Sequence, residues 1–144
     1  MVRMPKCGAI GQLAAWGNQK QHQVRVLIVD DSADDAELME LALRRQGYTA
    51  ICERIATGAA LMAALVPARR WDVITCDSGL PGLNAQRVIA LARQALPHVP
   101  VLLVSGRHPS QLARELEMAD AFLSKRQLED LPAIIRALLI RSES

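Results

Sequence analysis

A chain of 144 residues holds about one domain, because a single hydrophobic core occupies roughly 100 to 150 residues. Its 51% apolar and 22% charged content excludes disorder throughout. With only Trp16, Tyr48, Trp71 and Phe122 as aromatics, a stacking platform for single-stranded nucleic acid is excluded as well. The net charge of +2 is uneven: Arg3, Lys6 and Lys20 stand in residues 1–23 without an acid, leaving fourteen basic against fifteen acidic side chains from Val24 onward. No basic stripe for a polyanion follows, and direct nucleic-acid binding is not expected.

Cys7, Cys52 and Cys76 are odd in number and contain no CxxC pair, so they read as neutral thiols in a reducing compartment. His22, His98 and His108 are scattered, with nothing at metal-ligand spacing around them. No stretch approaches the roughly 20 apolar residues that span a bilayer. The run from Ala9 to Trp16 is broken by Gly11 and Gln12, a poor core for a secretory signal. A cytoplasmic protein without a membrane partner is expected.

Residues 1–23 end in a polar run and show no sustained period, which predicts a mobile extension ahead of a folded unit over 24–141 and a short tail at 142–144. Val24 to Val29 is a β-branched run stopped by Asp30-Asp31-Ser32, as a buried strand should be. A helix follows, with Leu38, Leu41 and Ala42 on its expected apolar face. Asp34, Asp35 and Glu37 stand near its start, where the helix dipole favours them, and Gly47 ends it. Tyr48 to Ile55 reads as a second strand, Ala59 to Val66 as a short helix stopped by Pro67, and Trp71 to Cys76 as a third strand ending on Asp77. Asn84 suits the N-cap of a helix whose Val88, Leu91, Ala92, Ala95 and Leu96 recur at helical spacing. Val101 to Val104 is a fourth strand, and Pro109 suits the first turn of a helix carrying Leu112, Leu116 and Ala119. Ala121 to Leu123 is a short fifth strand; a last helix, with Pro132 in its first turns, places Leu128, Leu131, Ile135 and Leu138 on one face and runs to about Arg141. Strands alternating with helices predict an α/β fold: a doubly wound, five-stranded parallel sheet of (βα)₅ type, flavodoxin-like in order.

In such a sheet ligands bind beyond the carboxyl ends of the strands. The first strand ends in Asp30-Asp31, the third in Asp77 and the fourth in Ser105, and Lys125 follows the fifth by two residues. Crowded carboxylates repel one another, so the arrangement calls for a hard divalent cation such as Mg²⁺. An aspartate beside a metal, an ammonium and a hydroxyl suits phosphoryl transfer: the carboxylate attacks phosphorus while the others hold the equatorial oxygens.

The segments Val26-Leu27-Ile28-Val29-Asp30-Asp31-Ser32, Trp71 to Gly82, Val101-Leu102-Leu103-Val104-Ser105-Gly106 and Ala119 to Lys125 together resemble the receiver domain of bacterial two-component response regulators, over about residues 24–141. The resemblance implies Asp77 as phospho-acceptor, Asp30, Asp31 and Asp77 as Mg²⁺ ligands with the Gly79 backbone carbonyl, and Ser105 as a switch hydroxyl beside the small Gly106. It also implies Lys125 as the phosphate-contacting ammonium and Phe122 as a switch aromatic. Ser78, Gly79 and Arg107 stand where they would tune the lifetime of the phosphoryl group. Two positions depart from the family pattern: Arg126 follows Lys125 where proline is usual, so a trans peptide is expected there, and Ala85 stands where glycine is usual.

The implied partners are a sensor histidine kinase or phosphotransfer protein as donor and a downstream protein as target, in a stand-alone phosphorylation switch that acts on itself without turnover as an enzyme. Dimerisation is left open. Two other readings are a receiver fold that binds partners without phosphorylation, and a Mg²⁺-dependent phosphohydrolase using Asp77. The second would want an acid where Gly79 stands.

Overall fold

A computed structural model describes residues 23–143. The extension expected over 1–23 lies outside the described residues except for Gln23, as does Ser144. Five βα units follow one another: β1 (Gln23–Val29), α1 (Ala33–Arg45), β2 (Thr49–Ile55), α2 (Gly58–Ala64), β3 (Val73–Asp77), α3 (Ala85–Ala95), β4 (Val101–Ser105), α4 (Ala113–Met118), β5 (Ala121–Ser124) and α5 (Leu131–Glu143). Short 3₁₀ turns cover Pro67–Arg69, Pro109–Gln111 and Lys125–Asp130. The strands form one parallel sheet in the order β2-β1-β3-β4-β5, the doubly wound arrangement expected.

Because side chains alternate across a strand, each central strand feeds two cores. Val24, Val26 and Ile28 of β1, with Leu102 and Val104 of β4, pack against Met39 and Leu43 of α1 and Leu131, Ile135 and Leu138 of α5. Leu27 and Val29, with Ile74, Cys76 and Leu103, face Leu61 of α2, Val88, Ile89 and Ala92 of α3 and Leu112. β3 and β4 are buried along their whole length, which explains why they read as continuous apolar runs.

The helix ends follow local chemistry. Ser32 caps α1 by accepting from the Asp35 amide at 3.1 Å, and Asn84 caps α3 by accepting from Gln86 and Arg87. After α1, Gly47 takes a φ of +89°, its amide bonds the Arg44 carbonyl, and the Tyr48 amide bonds that of Leu43, a Schellman ending sealed by Tyr48 against the same core as Leu43.

Several boundaries and one helix face differ from expectation. β1 begins at Gln23, one residue early, and β3 begins at Val73 rather than Trp71. Trp71 instead plugs the amino edge of the sheet, donating its indole N–H to the Ala64 carbonyl at 2.8 Å, with Arg25 and Arg69 stacked at 5.9 and 4.9 Å from the ring centroid. α2 ends at Ala64 and leaves Val66 exposed. The helix expected after Pro109 is a 3₁₀ turn followed by the six-residue α4. Leu128 belongs to the 3₁₀ segment rather than to α5. α5 continues through residues 142 and 143, which were expected to form a tail. All described peptide bonds are trans, including Lys125–Arg126.

The face of α1 is the largest correction. Leu38 and Leu41 are 51% and 43% exposed, and the helix instead buries Met39 and Leu43. Both stripes fit helical spacing, so the pattern alone did not choose between them; the Schellman ending does, by drawing Leu43 onto Tyr48. Leu43→Ala should therefore cost about 2 to 5 kcal/mol in urea unfolding, whereas Leu38→Ala and Leu41→Ala should stay within about 0.5 kcal/mol of the parent.

Candidate functional site

The parallel register brings the chemistry together. Val29 pairs with Cys76, so Asp30 leaves β1 beside Asp77 at the end of β3. Asp77 pairs with Val104, which sets Ser78 alongside Ser105. Ser105 pairs with Ser124, so Lys125 leaves β5 at the same edge. Five of the expected site residues, Asp30, Asp31, Asp77, Ser105 and Lys125, thus converge at one end of the sheet.

Asp30 is 1% exposed. Its Oδ1 accepts from the Ser32 amide at 2.9 Å, and its Oδ2 lies 3.0 Å from Lys125 Nζ, an ion pair without hydrogen-bond alignment. That leaves Oδ2 a buried oxygen with no hydrogen-bond partner, a costly state unless another ligand meets it. Burial pushes the Asp30 carboxyl above its ordinary pKa; the Ser32 amide and Lys125 pull it down, and the nearby Asp77 charge adds to the rise. One oxygen from each of Asp30, Asp31 and Asp77 lies within 4.8 Å of the others. An orphaned buried oxygen among three all-oxygen donors fits Mg²⁺, which takes one or two carboxylates and keeps several waters. Gly79 follows Asp77 in the exposed loop, where its carbonyl is free of any strand pairing, and a Cβ there would meet Asp77 Oδ2 at an ordinary 3.9 Å, so no crowding demands glycine.

Lys125 neutralises this cluster. Its Nζ donates to Asp35 Oδ2 at 2.7 Å and lies 3.2 Å from Asp77 Oδ1 as well as 3.0 Å from Asp30 Oδ2. Burial alone would favour the neutral amine, but the hydrogen bond to Asp35 and the close Asp30 and Asp77 carboxylates outweigh it and raise the pKa above the ordinary lysine value. The ammonium therefore stays charged throughout the physiological range.

Asp35 was missed as a site residue. Near the start of α1 it reads as an acid serving the helix dipole. The Ser32 amide, the local donor an acid three residues on could take, is already bonded to Asp30, so the Asp35 carboxylate reaches across to Lys125. Only the fold brings these residues, 90 positions apart, into contact.

Ser105 is fully buried; its Oγ accepts from the Arg107 amide at 2.9 Å and lies 2.6 Å from Ser78 Oγ. Arg107 itself is exposed, and Gly106 opens onto free space. Phe122, the expected switch aromatic, is half-buried on β5 and packs against the core that carries α3. The thiol of Cys76, next to Asp77, is pushed up to about 12 by burial, then by the Asp77 charge, and Cys52 to about 11 mainly by burial, so neither offers a thiolate near neutral pH.

Replacing Lys125 by Met would leave Asp30, Asp35 and Asp77 to repel one another. Without divalent cations, Lys125→Met should lose on the order of 3 kcal/mol of unfolding free energy, and added Mg²⁺ should return part of it, as urea titrations with and without the metal would show.

Among the described residues no helix is long and apolar enough to cross a membrane. Residues 26–136 match the family model described as the response regulator receiver domain. TcrX, a regulatory protein of Mycobacterium tuberculosis, is 32% identical over 124 residues, 83% of this chain and 51% of that protein. The chain spans about half the length of most of the curated relatives it matches. A CheY-like receiver domain structure from Methylobacillus flagellatus is 25% identical with a TM-score of 0.68, covering 81% of this chain and 98% of that one. The response regulator TrrA of Thermotoga maritima, solved with Mg²⁺ and BeF, shares the fold at 19% identity and a TM-score of 0.69, over 81% of this chain and 99% of that one. With four strand-end motifs, one continuous sheet edge and a family match over most of its length, the chain belongs to the response regulator receiver domains of two-component signalling.

Proposed function

We propose that Asp77 accepts a phosphoryl group from a phosphohistidine of a sensor kinase or phosphotransfer protein, in a Mg²⁺-dependent reaction, and that the change of state is passed on by protein contact. The observation that carries this reading is the placement of Asp77 at the carboxyl edge, 8% exposed, with Lys125 Nζ 3.2 Å from one oxygen and the Asp30–Asp31 pair beside it. An Asp77 oxygen attacks phosphorus, the N–P bond to the donor imidazole breaks with its electron pair going to nitrogen, and an acyl phosphate forms. Asp30 and Asp31 would hold Mg²⁺ with Asp77 and the Gly79 carbonyl, and the bound ion supplies charge for the equatorial oxygens. Lys125 meets the negative charge from the β5 side, and the Ser105 hydroxyl reaches the phosphoryl group from β4.

The same geometry speaks against turnover of an external ester. A phosphohydrolase of this design needs an acid–base group two residues after the nucleophile, and Gly79 has no side chain to offer. Hydrolysis then needs attack of water on the acyl phosphate, and Gly79, beside Asp77 Oδ2, and the exposed Arg107, whose amide bonds Ser105, set how easily water arrives.

Asp77→Asn should abolish Mg²⁺-dependent labelling by a small phosphodonor such as acetyl phosphate, read on a phosphate-affinity gel; persistent labelling would remove Asp77 from the role. Substituting Arg107 or Gly79 should change the dephosphorylation rate of labelled protein, and an unchanged rate would dismiss both as tuning positions. Mg²⁺ binding should also weaken on acidification. The raised Asp30 pKa means that protons compete with the metal at a higher pH than they would for an ordinary carboxylate, so calorimetric affinity should fall on acidification sooner than an ordinary carboxylate site would allow. Without metal the dependence runs the other way: the raised Asp30 pKa contributes stability that is present below its unfolded value and is lost as pH rises through the folded one.

A further inference from the structure

The residue after the phospho-acceptor has a partner that its position in sequence does not announce. Asp77 pairs with Val104 across β3 and β4, and one step further Ser78 Oγ lies 2.6 Å from the Oγ of the fully buried Ser105. A hydroxyl has one proton and two lone pairs. The Arg107 amide already fills one lone pair of Ser105 at 2.9 Å, and the short contact to Ser78 takes up either the proton or the second lone pair. Two partners hold the side-chain torsion of Ser105, and one of them is the residue that follows the phospho-acceptor in the chain.

From this we infer that Ser78 is a positioning residue: its hydroxyl clasps Ser105 in the unphosphorylated state and competes with the phosphoryl group for it. The inference rests on the functional reading above, in which Ser105 serves a phosphoryl group on Asp77. For Ser105 to turn toward that group it must give up Ser78, while the Arg107 bond, within its own loop, can follow the movement. The clasp is thus a bias on a two-state equilibrium, and the apparent affinity for a phosphoryl ligand is reduced by the fraction of molecules held in the clasped state. Ser78 is half-buried, so its loss leaves a solvent-reachable gap rather than an orphaned buried group, and Ser105 keeps its Arg107 bond. Removing one neutral hydrogen bond of this kind shifts such an equilibrium by about two- to tenfold.

The test uses beryllofluoride, a phosphoryl mimic, titrated into the full chain with saturating Mg²⁺ and followed by ¹⁹F resonance of the bound species. Ser78→Ala should tighten apparent beryllofluoride affinity by about two- to tenfold with Mg²⁺ affinity unchanged, and Ser78→Thr, which restores the hydroxyl, should return it to the parent value. In a Ser105→Ala background the Ser78→Ala effect should vanish. Unchanged or weaker binding by Ser78→Ala overturns the clasp, and so does an effect that persists without Ser105, which would make Ser78 a direct contact of the phosphoryl group. A parent chain that shows no Asp77-dependent uptake at all overturns the functional reading beneath it, and that arm separates the two failures.

Discussion

Carboxylates packed at one edge of a sheet cannot all stay ionised without positive charge among them, and this constraint organises the molecule's working end. Asp30, Asp31 and Asp77 place their oxygens within 4.8 Å of one another, with Asp30 almost wholly buried. Lys125 answers that field from β5, reaching Asp30, Asp77 and Asp35 at once. An ammonium can neutralise the cluster but cannot satisfy every lone pair, and Asp30 Oδ2, paired with it in charge at 3.0 Å, still has no hydrogen-bond partner. The site is therefore organised around a fixed cation and room for an exchangeable one.

What holds the cluster together is the sheet rather than the cluster itself. Parallel strands in close register deliver Asp30, Asp77, Ser105 and Lys125 to one edge from positions spread over 96 residues. Two aliphatic cores, one on each face, clamp the strands so that their ends stay level. The energy that keeps like charges together comes from burial of Val, Leu and Ile far from them, as expected when a local arrangement is costly and the surrounding packing over-determines it.

Element type and order, and the strand-end residues, were legible in the sequence, because they depend on apolar runs and on the residue at which each run stops. The side chains that connect those residues were not. Leu38 and Leu41 formed as good a helical stripe as the one buried, and only the contact of Tyr48 with Leu43 decides between them. Asp35 looked like an acid serving the helix dipole, and its release to Lys125 depends on Asp30 having claimed the Ser32 amide. The approach of Ser78 to Ser105 follows from strand register, which no single segment contains. In each case the missing information was a choice between two partners, made by tertiary contact.

Trp71 stands two residues before β3, at the opposite end of that strand from Asp77, gripped by Arg25 and Arg69 and bonded to Ala64. It is the one indole among the described residues. Its emission therefore reports whether the amino edge of the sheet is packed and is silent about the chemistry at the carboxyl edge. The signal of Trp71 is thus a folding gauge, and a spectroscopic view of the switch needs a chromophore brought in near Ser78 or Phe122.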